Sequence, residues 1–206
     1  MDGLWRETRK DLRIREKCPE NPSVIYRCKQ ASFRKLGELQ LIRMQVRLVP
    51  IDRENHRAMW RLTLKPEQQG FVSPPAWSLA RCFVKVFGDR FEHLPHLIYA
   101  GNEPIGFSTI VCDPASAEDY WIDDIMIDEH QQGRGYGRAA VIESIKLILR
   151  RYPRCRAIQL TCFRANINAA ALYLSLGFVV TGDNDPVFNE PNYKLSGPAL
   201  DNFREP

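Results

Sequence analysis

The stretch Gln131-Gln132-Gly133-Arg134-Gly135-Tyr136-Gly137 constrains this chain more than any other. A strand-like run precedes it, Tyr120-Trp-Ile-Asp-Asp-Ile-Met-Ile-Asp128, and a helix follows from Arg138 to about Arg151. In that helix Val141, Ile142, Ile145, Ile148 and Leu149 recur on one face at helical period. Three alternating glycines therefore stand where strand hands over to helix. Glycine permits close backbone approach and positive φ without strain. A helix N-terminus adds free N–H groups and partial positive charge, so the junction is built to meet an anion. A tight turn that simply needs small residues would look the same in isolation, so the rest of the chain must decide.

The chain in order predicts strands at 44–49, 96–100, 104–112, 120–128, 157–163, 178–181 and around 193–195. Helices are expected after the cap Asp52 (to Leu62), from about Ala76 to Val86, at 138–151, and from about Asn168 to Leu176, with Gly177 as the C-terminal stop. Hairpins come first and a β-α-β unit follows. That order predicts an α/β (α+β) fold, a mixed central sheet of about six to seven strands with helices on both faces. Residues 1–43 differ in character, being basic and interrupted by Pro19 and Pro22. They are expected to be an appendage, and Met44 is a candidate natural start. The folded domain is expected over 44–195, with a frayed C-terminal tail at 196–206.

No apolar run approaches the roughly 20 residues of a membrane span, and residues 1–10 lack a secretory core. A cytoplasmic protein is the expectation, with no membrane partner. Net charge is +4, but many basic residues lie in 1–47, so nucleic-acid binding does not follow from it. Cys18, Cys28, Cys82, Cys112, Cys155 and Cys162 form no CxxC pair, so reduced thiols are expected and no metal site. His56, His93, His96 and His130 show no nucleophile pairing.

Two motifs in this order carry a resemblance. Gln132-Gly133-Arg134-Gly135-Tyr136-Gly137, after the strand 122–128, resembles the acetyl-CoA signature of the GCN5-related N-acetyltransferase (GNAT) superfamily. Asn166-Ile-Asn168-Ala-Ala-Ala-Leu-Tyr173-Leu-Ser-Leu-Gly177-Phe178 resembles that family's last helix and strand. More loosely, Leu64 to Val72, Ser78-Leu-Ala80 and Tyr120 to Asp128 resemble bacterial spermine/spermidine-type acetyltransferases, with Pro74-Pro75 where those often have Pro-Asn.

The resemblance implies acetyl-CoA as cosubstrate and a small-molecule amine as acceptor, with a homodimer as an accompanying expectation. The backbone of Gly133, Arg134, Gly135, Tyr136, Gly137 and Arg138 would cradle the pyrophosphate, with Gln132 from the signature beside them. Arg134 and Arg138 would add charge. The strand edge at Ile125, Met126 and Ile127 would pair with the pantetheine arm, and Asn166 and Asn168 would line it. Tyr173 falls where the family places its general acid. Asp123 is the expected base, with Asp124 as alternate; on a regular strand the two face opposite sides, so only one can meet the cleft. Glu67, with Asp123, is an expected acceptor contact, in an acidic set with Glu118, Asp119 and Asp124 that would attract a cationic amine. Acetylation of a protein N-terminus or lysine, acetylation of an antibiotic amine, and CoA binding without turnover remain open beside a polyamine acceptor.

Overall fold

The computed structural model describes residues 45–186 and 189–205. Residues 1–43 and Met44 lie outside that range, and with them the appendage and the candidate start. Seven strands form one mixed sheet: β1 Val46–Pro50, β2 Glu92–Ala100, β3 Glu103–Cys112, β4 Tyr120–Ile127, β5 Ala157–Thr161, β6 Val179–Asn184 and β7 Pro191–Ser196. Their order is β1-β2-β3-β4-β5-β7-β6, and every neighbouring pair is antiparallel except β4–β5. The helices are α1 Pro75–Val84, α2 Tyr136–Arg151, α3 Ile167–Ser175 and α4 Gly197–Asp201.

The expected mixed sheet between helical layers is what this chain adopts. From α2, Val141, Ile145, Ile148 and Leu149 bury against Ile110, Ile122 and Ile158 on one face. On the other face Met59 and Leu62 pack with Leu97, Phe107 and Met126, and Leu79 of α1 joins them half-buried. Burying such side chains contributes roughly 1.5–3 kcal/mol each, which is why the apolar periods decide which face of each element turns inward.

Two local expectations are corrected. The Asp52–Leu62 helix is a short 3-10 helix, His56–Arg61. Asp52 Oδ1 accepts from the N–H groups of Glu54 and Asn55 at 2.9 and 2.8 Å, while Asn55 Oδ1 accepts from the Asp52 N–H. That closed side-chain turn delays the helix and shortens it. The frayed tail is also corrected. Leu200 of α4 is buried in the main core, and Arg204 Nε holds Asp201 at 3.0 Å, so the segment packs on the sheet.

Candidate active site

The strand before the glycines is not regular. Across β3–β4, Thr109 pairs with Asp124 and Ile110 with Ile122, so Asp123 has no partner of its own. This is a β-bulge, two residues opposite one, and it re-aims side chains. Ile122 and Ile125 consequently pack in the same core cluster although they are three residues apart.

The bulge corrects the expectation that Asp123 and Asp124 face opposite sides. Both reach one guanidinium. Arg81 Nη2 lies 3.2 Å from each carboxylate oxygen of Asp123, and Arg81 Nη1 lies 3.6 Å from Asp124 Oδ2. Burial, then the neighbouring Asp124 charge, pushes Asp123 up to about 6 against the opposing pull of Arg81. Burial likewise raises Asp124, against the opposing pull of the Ser78 hydroxyl, Arg81 and the Ser73 backbone. Of the two, Asp123 lines the cavity described next.

A cavity of about 260 Å³ opens where β4 and β5 part. The two strands pair at one register position, Trp121 opposite Gln159, and diverge beyond it. Ile125, Met126 and Ile127 line one wall; Thr161, Cys162, Phe163 and Asn166 line the opposite one. Gly133 and Gly137 close one end, and Asn168, Leu172 and Tyr173 of α3 lie along it. Residues from both motifs therefore meet in one space.

At the helix junction Gly133 and Gly135 have φ of 74° and 84°, which a side chain rarely adopts. Gly135 is the N-cap of α2, so the first-turn N–H groups have no partner within the helix. A Cβ built on Gly133 would meet nothing within 4 Å, so the backbone there faces open space. These are the features a pyrophosphate cradle requires.

The glycine loop is tied at its base. Gln132 Nε2 donates to the Ile127 carbonyl at 3.0 Å and exchanges amide hydrogen bonds with Gln68, at 2.8 and 3.1 Å. Arg134 donates to Gln131 and Arg138 to Ser175, both at exposed positions beside the loop and off the cavity wall. Tyr136 packs against the cluster of Val46, Ile98 and Ile105.

The asparagines divide their work. Asn166 caps α3, its Oδ1 accepting from the Ala169 N–H at 3.2 Å. Asn168 lies within the first turn, exposed on the cavity, its side chain making no hydrogen bond to a described residue. The cap of α3 is thus Asn166, and the Asn168 side-chain amide remains available to a ligand. Gly177, with φ 94°, ends the helix as expected.

Tyr173 is 7% exposed, between the rings of Phe178 and Tyr193 at 5.9 and 6.0 Å. Burial, with Cys162 and Tyr193 beside it, raises its phenol well above the ordinary range, so the group stays protonated. Cys162 also lines the cavity, but burial pushes its thiol up to about 11. A thiol held that high is a poor nucleophile. Cys82, Cys112 and Cys155 are likewise free thiols raised to about 11, with burial the first cause in each. Cys18 and Cys28 lie outside the described residues.

Glu67 is not brought to the site. It is exposed on a 3-10 turn, Pro66–Gln68, and its neighbour Gln68 faces the cavity instead. Glu118 pairs with Lys194 at 2.8 Å, away from the lining. Sequence reasoning missed Arg81, Gln68 and the aromatic pair Phe71–Phe163, whose centroids stand 6.3 Å apart at the wall. Arg81 carries no local signal, because its partners lie some forty residues away. No group of three or more His, Cys, Asp or Glu side chains among the described residues is placed to hold a metal ion. No helix among them is long and apolar enough to cross a membrane.

Comparison with known proteins agrees with this geometry. The probable spermine N(1)-acetyltransferase of Bacillus subtilis subsp. natto is 32% identical over 93 residues, which are 43% of this chain and 60% of that protein. The chain thus spans 60% of the length of the curated relatives it matches. Among solved structures, an acetyltransferase from Thermus thermophilus aligns with TM-score 0.55 and 21% identity, covering 75% of this chain and 99% of that one. Spermidine N-acetyltransferase from Vibrio cholerae, in complex with CoA and spermine, aligns with TM-score 0.56 and 16% identity, covering 76% and 98%. These structural likenesses speak to the fold. The family model for the acetyltransferase (GNAT) family matches residues 53–178, more than half of the sequence, and on that match the chain belongs to the GNAT family.

Proposed function

We propose that this protein transfers the acetyl group of acetyl-CoA directly to the primary amine of a small cationic acceptor, a polyamine being the first class to test. The observation that carries the reading is the convergence of Gly133, Asp123 and Tyr173 on one cavity. The acceptor class is favoured by the spermine- and spermidine-acetylating relatives and by the carboxylate pair at the cleft. The first-turn N–H groups of α2, with Arg134 and Arg138 at the rim, would hold the pyrophosphate. The β4 edge at Ile125–Ile127 and the Asn168 amide would hold the pantetheine arm. The catalytic domain is taken to begin at about residue 44 and to include α4, whose Leu200 lies in the main core, and the cytoplasm, where acetyl-CoA is made and consumed, is its expected place.

In this reading Asp123 takes one proton from the incoming ammonium, directly or through water. The freed nitrogen forms a C–N bond to the acetyl carbonyl carbon. Developing oxyanion charge is met by a backbone N–H near Ile127. The C–S bond then breaks, Tyr173 donates its phenolic proton to the departing sulfur, and the new amide nitrogen releases the proton that restores the phenol. The balance is one amide, one CoA thiol and one proton released to solvent. The raised thiol of Cys162 favours this direct path over a covalent acyl-cysteine.

The test is release of CoA thiol from acetyl-CoA in the presence of spermine, spermidine and a panel of other primary amines. Acetylated amine appearing in step with thiol supports the reading. Tight CoA binding with no turnover on any amine would replace it with a CoA-binding regulatory role. Tyr173→Phe should lower turnover by about two orders of magnitude while leaving acetyl-CoA affinity within a few-fold. An unchanged rate would remove Tyr173 as the acid.

A further inference from the structure

We infer that Arg81 is a positioning residue, which gathers the Asp123 and Asp124 carboxylates on one guanidinium and keeps Asp123 ionised and aimed into the cleft. The inference rests on the reading of Asp123 as the base and adds a residue that neither motif contains.

Three observations carry it. The β-bulge places two carboxylates, from adjacent residues, within reach of one cation. Two carboxylates and one guanidinium leave a single net negative charge, which matches one acceptor ammonium or one transferred proton. Without the guanidinium, two buried neighbouring carboxylates cannot both stay ionised near neutral pH.

Second, Arg81 is itself held. Its guanidinium sits 5.4 Å from the centre of the Phe87 ring. That ring stacks on His93 at 5.8 Å and meets Phe91 edge-on at 6.2 Å. A cation over an aromatic face gains attraction without needing a second anion, so Arg81 is fixed while its charge stays directed at the carboxylates. The left-handed turn at Lys85, φ 51°, ends α1 and brings Phe87 back beside Arg81.

Third, the other groups around the pair offer no substitute cation. Cys82 of α1 is a neutral thiol, pushed up to about 11 by burial first and by the carboxylates next. His93 of β2 is lowered by burial and by the Arg81 and Lys85 charges, so it is neutral where the enzyme would work. Lys85 pairs with Asp89 at 3.2 Å. Asp185, between β6 and β7, adds negative charge that raises Asp123 further. Arg81 therefore opposes burial, Asp124 and Asp185 together.

The experiment compares wild type with Arg81→Met, which keeps the apolar stem, and Arg81→Lys, which keeps the charge but loses the fork. kcat/KM for the amine is measured from pH 5 to pH 9 by thiol release. In Arg81→Met the acidic limb should move up by about one pH unit or more, a loss of about tenfold or more on that limb. Near pH 9 the variant should recover to within a few-fold of wild type. The KM for acetyl-CoA should be unchanged, and Arg81→Lys should fall between the two. A uniform loss at all pH values, with the limb unmoved in both variants, would overturn the inference and leave Arg81 a packing residue. Carboxyl-carbon NMR titration of Asp123 without substrate gives an independent reading. Its midpoint should rise in Arg81→Met, and an equal or lower midpoint would refute the role. That titration decides the point even if no amine is acetylated, so failure of the enzymatic reading and failure of this one are separable. Arg81→Lys supplies both measurements if the methionine variant does not fold.

Discussion

Asp123→Asn should make this protein more stable at pH 8 while abolishing its proposed chemistry. The carboxylate is largely enclosed, at 19% side-chain exposure, and stands beside Asp124 with Arg81 shared between them. Its folded-state value of about 6 lies above that of an unfolded aspartate. The folded protein then binds the proton more tightly than the unfolded chain between about pH 4 and 6. Stability from this group is present below about pH 4 and is lost as pH rises through about 6. The full difference corresponds to about 3 kcal/mol, and asparagine, which keeps the shape without the charge, should recover about 1–2 kcal/mol of it at pH 8. For a chain of this size that is several degrees in Tm. The assay is thermal unfolding of wild type and variant at pH 4 and pH 8, with thiol release measured in parallel. The gap should be clear at pH 8 and nearly closed at pH 4, and turnover should fall by about two orders of magnitude or more. A variant less stable than wild type at pH 8, or a gap equal at both pH values, would refute the account of a strained, desolvated carboxylate.

Other substitutions separate frame from function. Asn166→Ala should cost about 1 kcal/mol by removing the α3 cap, seen as a lower midpoint in urea unfolding. Asn168→Ala should leave that midpoint nearly unchanged and raise the KM for acetyl-CoA several-fold, because its amide serves no structural bond among the described residues. Gly106→Ala should destabilise by about 2 kcal/mol or more, since a Cβ there would run into the Met126 carbonyl oxygen; a soluble variant with wild-type Tm would contradict the β3–β4 packing.

Much of this fold is legible in the chain because its periods are long and its stops are chemical. The apolar face of residues 141–149 and the Gly177 stop need no partner to be recognised. Asn166 and Asn168 are both legible as candidates, but their division of labour depends on which residue begins the helix, and one residue of register decides it. The bulge at Asp123 is invisible to period-two reasoning, which assumes an unbroken ladder. Such reasoning turns one carboxylate in and one out, whereas both turn to Arg81. Glu67 and Gln68 are adjacent and differ in which one faces the cavity, a choice set by the 3-10 turn that holds them.

The site is assembled from interruptions of regular structure, and each interruption supplies what a regular element cannot. Where β4 and β5 stop pairing, backbone on the β4 edge becomes available to a peptide-like arm. Where β4 bulges, two carboxylates meet one guanidinium and the pair acquires an intermediate affinity for a proton. Where strand gives way to helix, positive-φ glycines open the first-turn N–H groups. The Gln132 amide ties the glycine loop to the rest of the cavity, bonding Ile127 at the end of β4 and Gln68 on the cavity lining. A shift of the glycine loop on loading acetyl-CoA would thus be felt at Gln68 through two amide hydrogen bonds. Gln68→Ala should then weaken coupling between donor and acceptor: amine affinity should cease to depend on whether CoA is bound, a comparison that calorimetry makes directly. Retention of the full coupling in that variant would show that the two halves of the cavity communicate by another route.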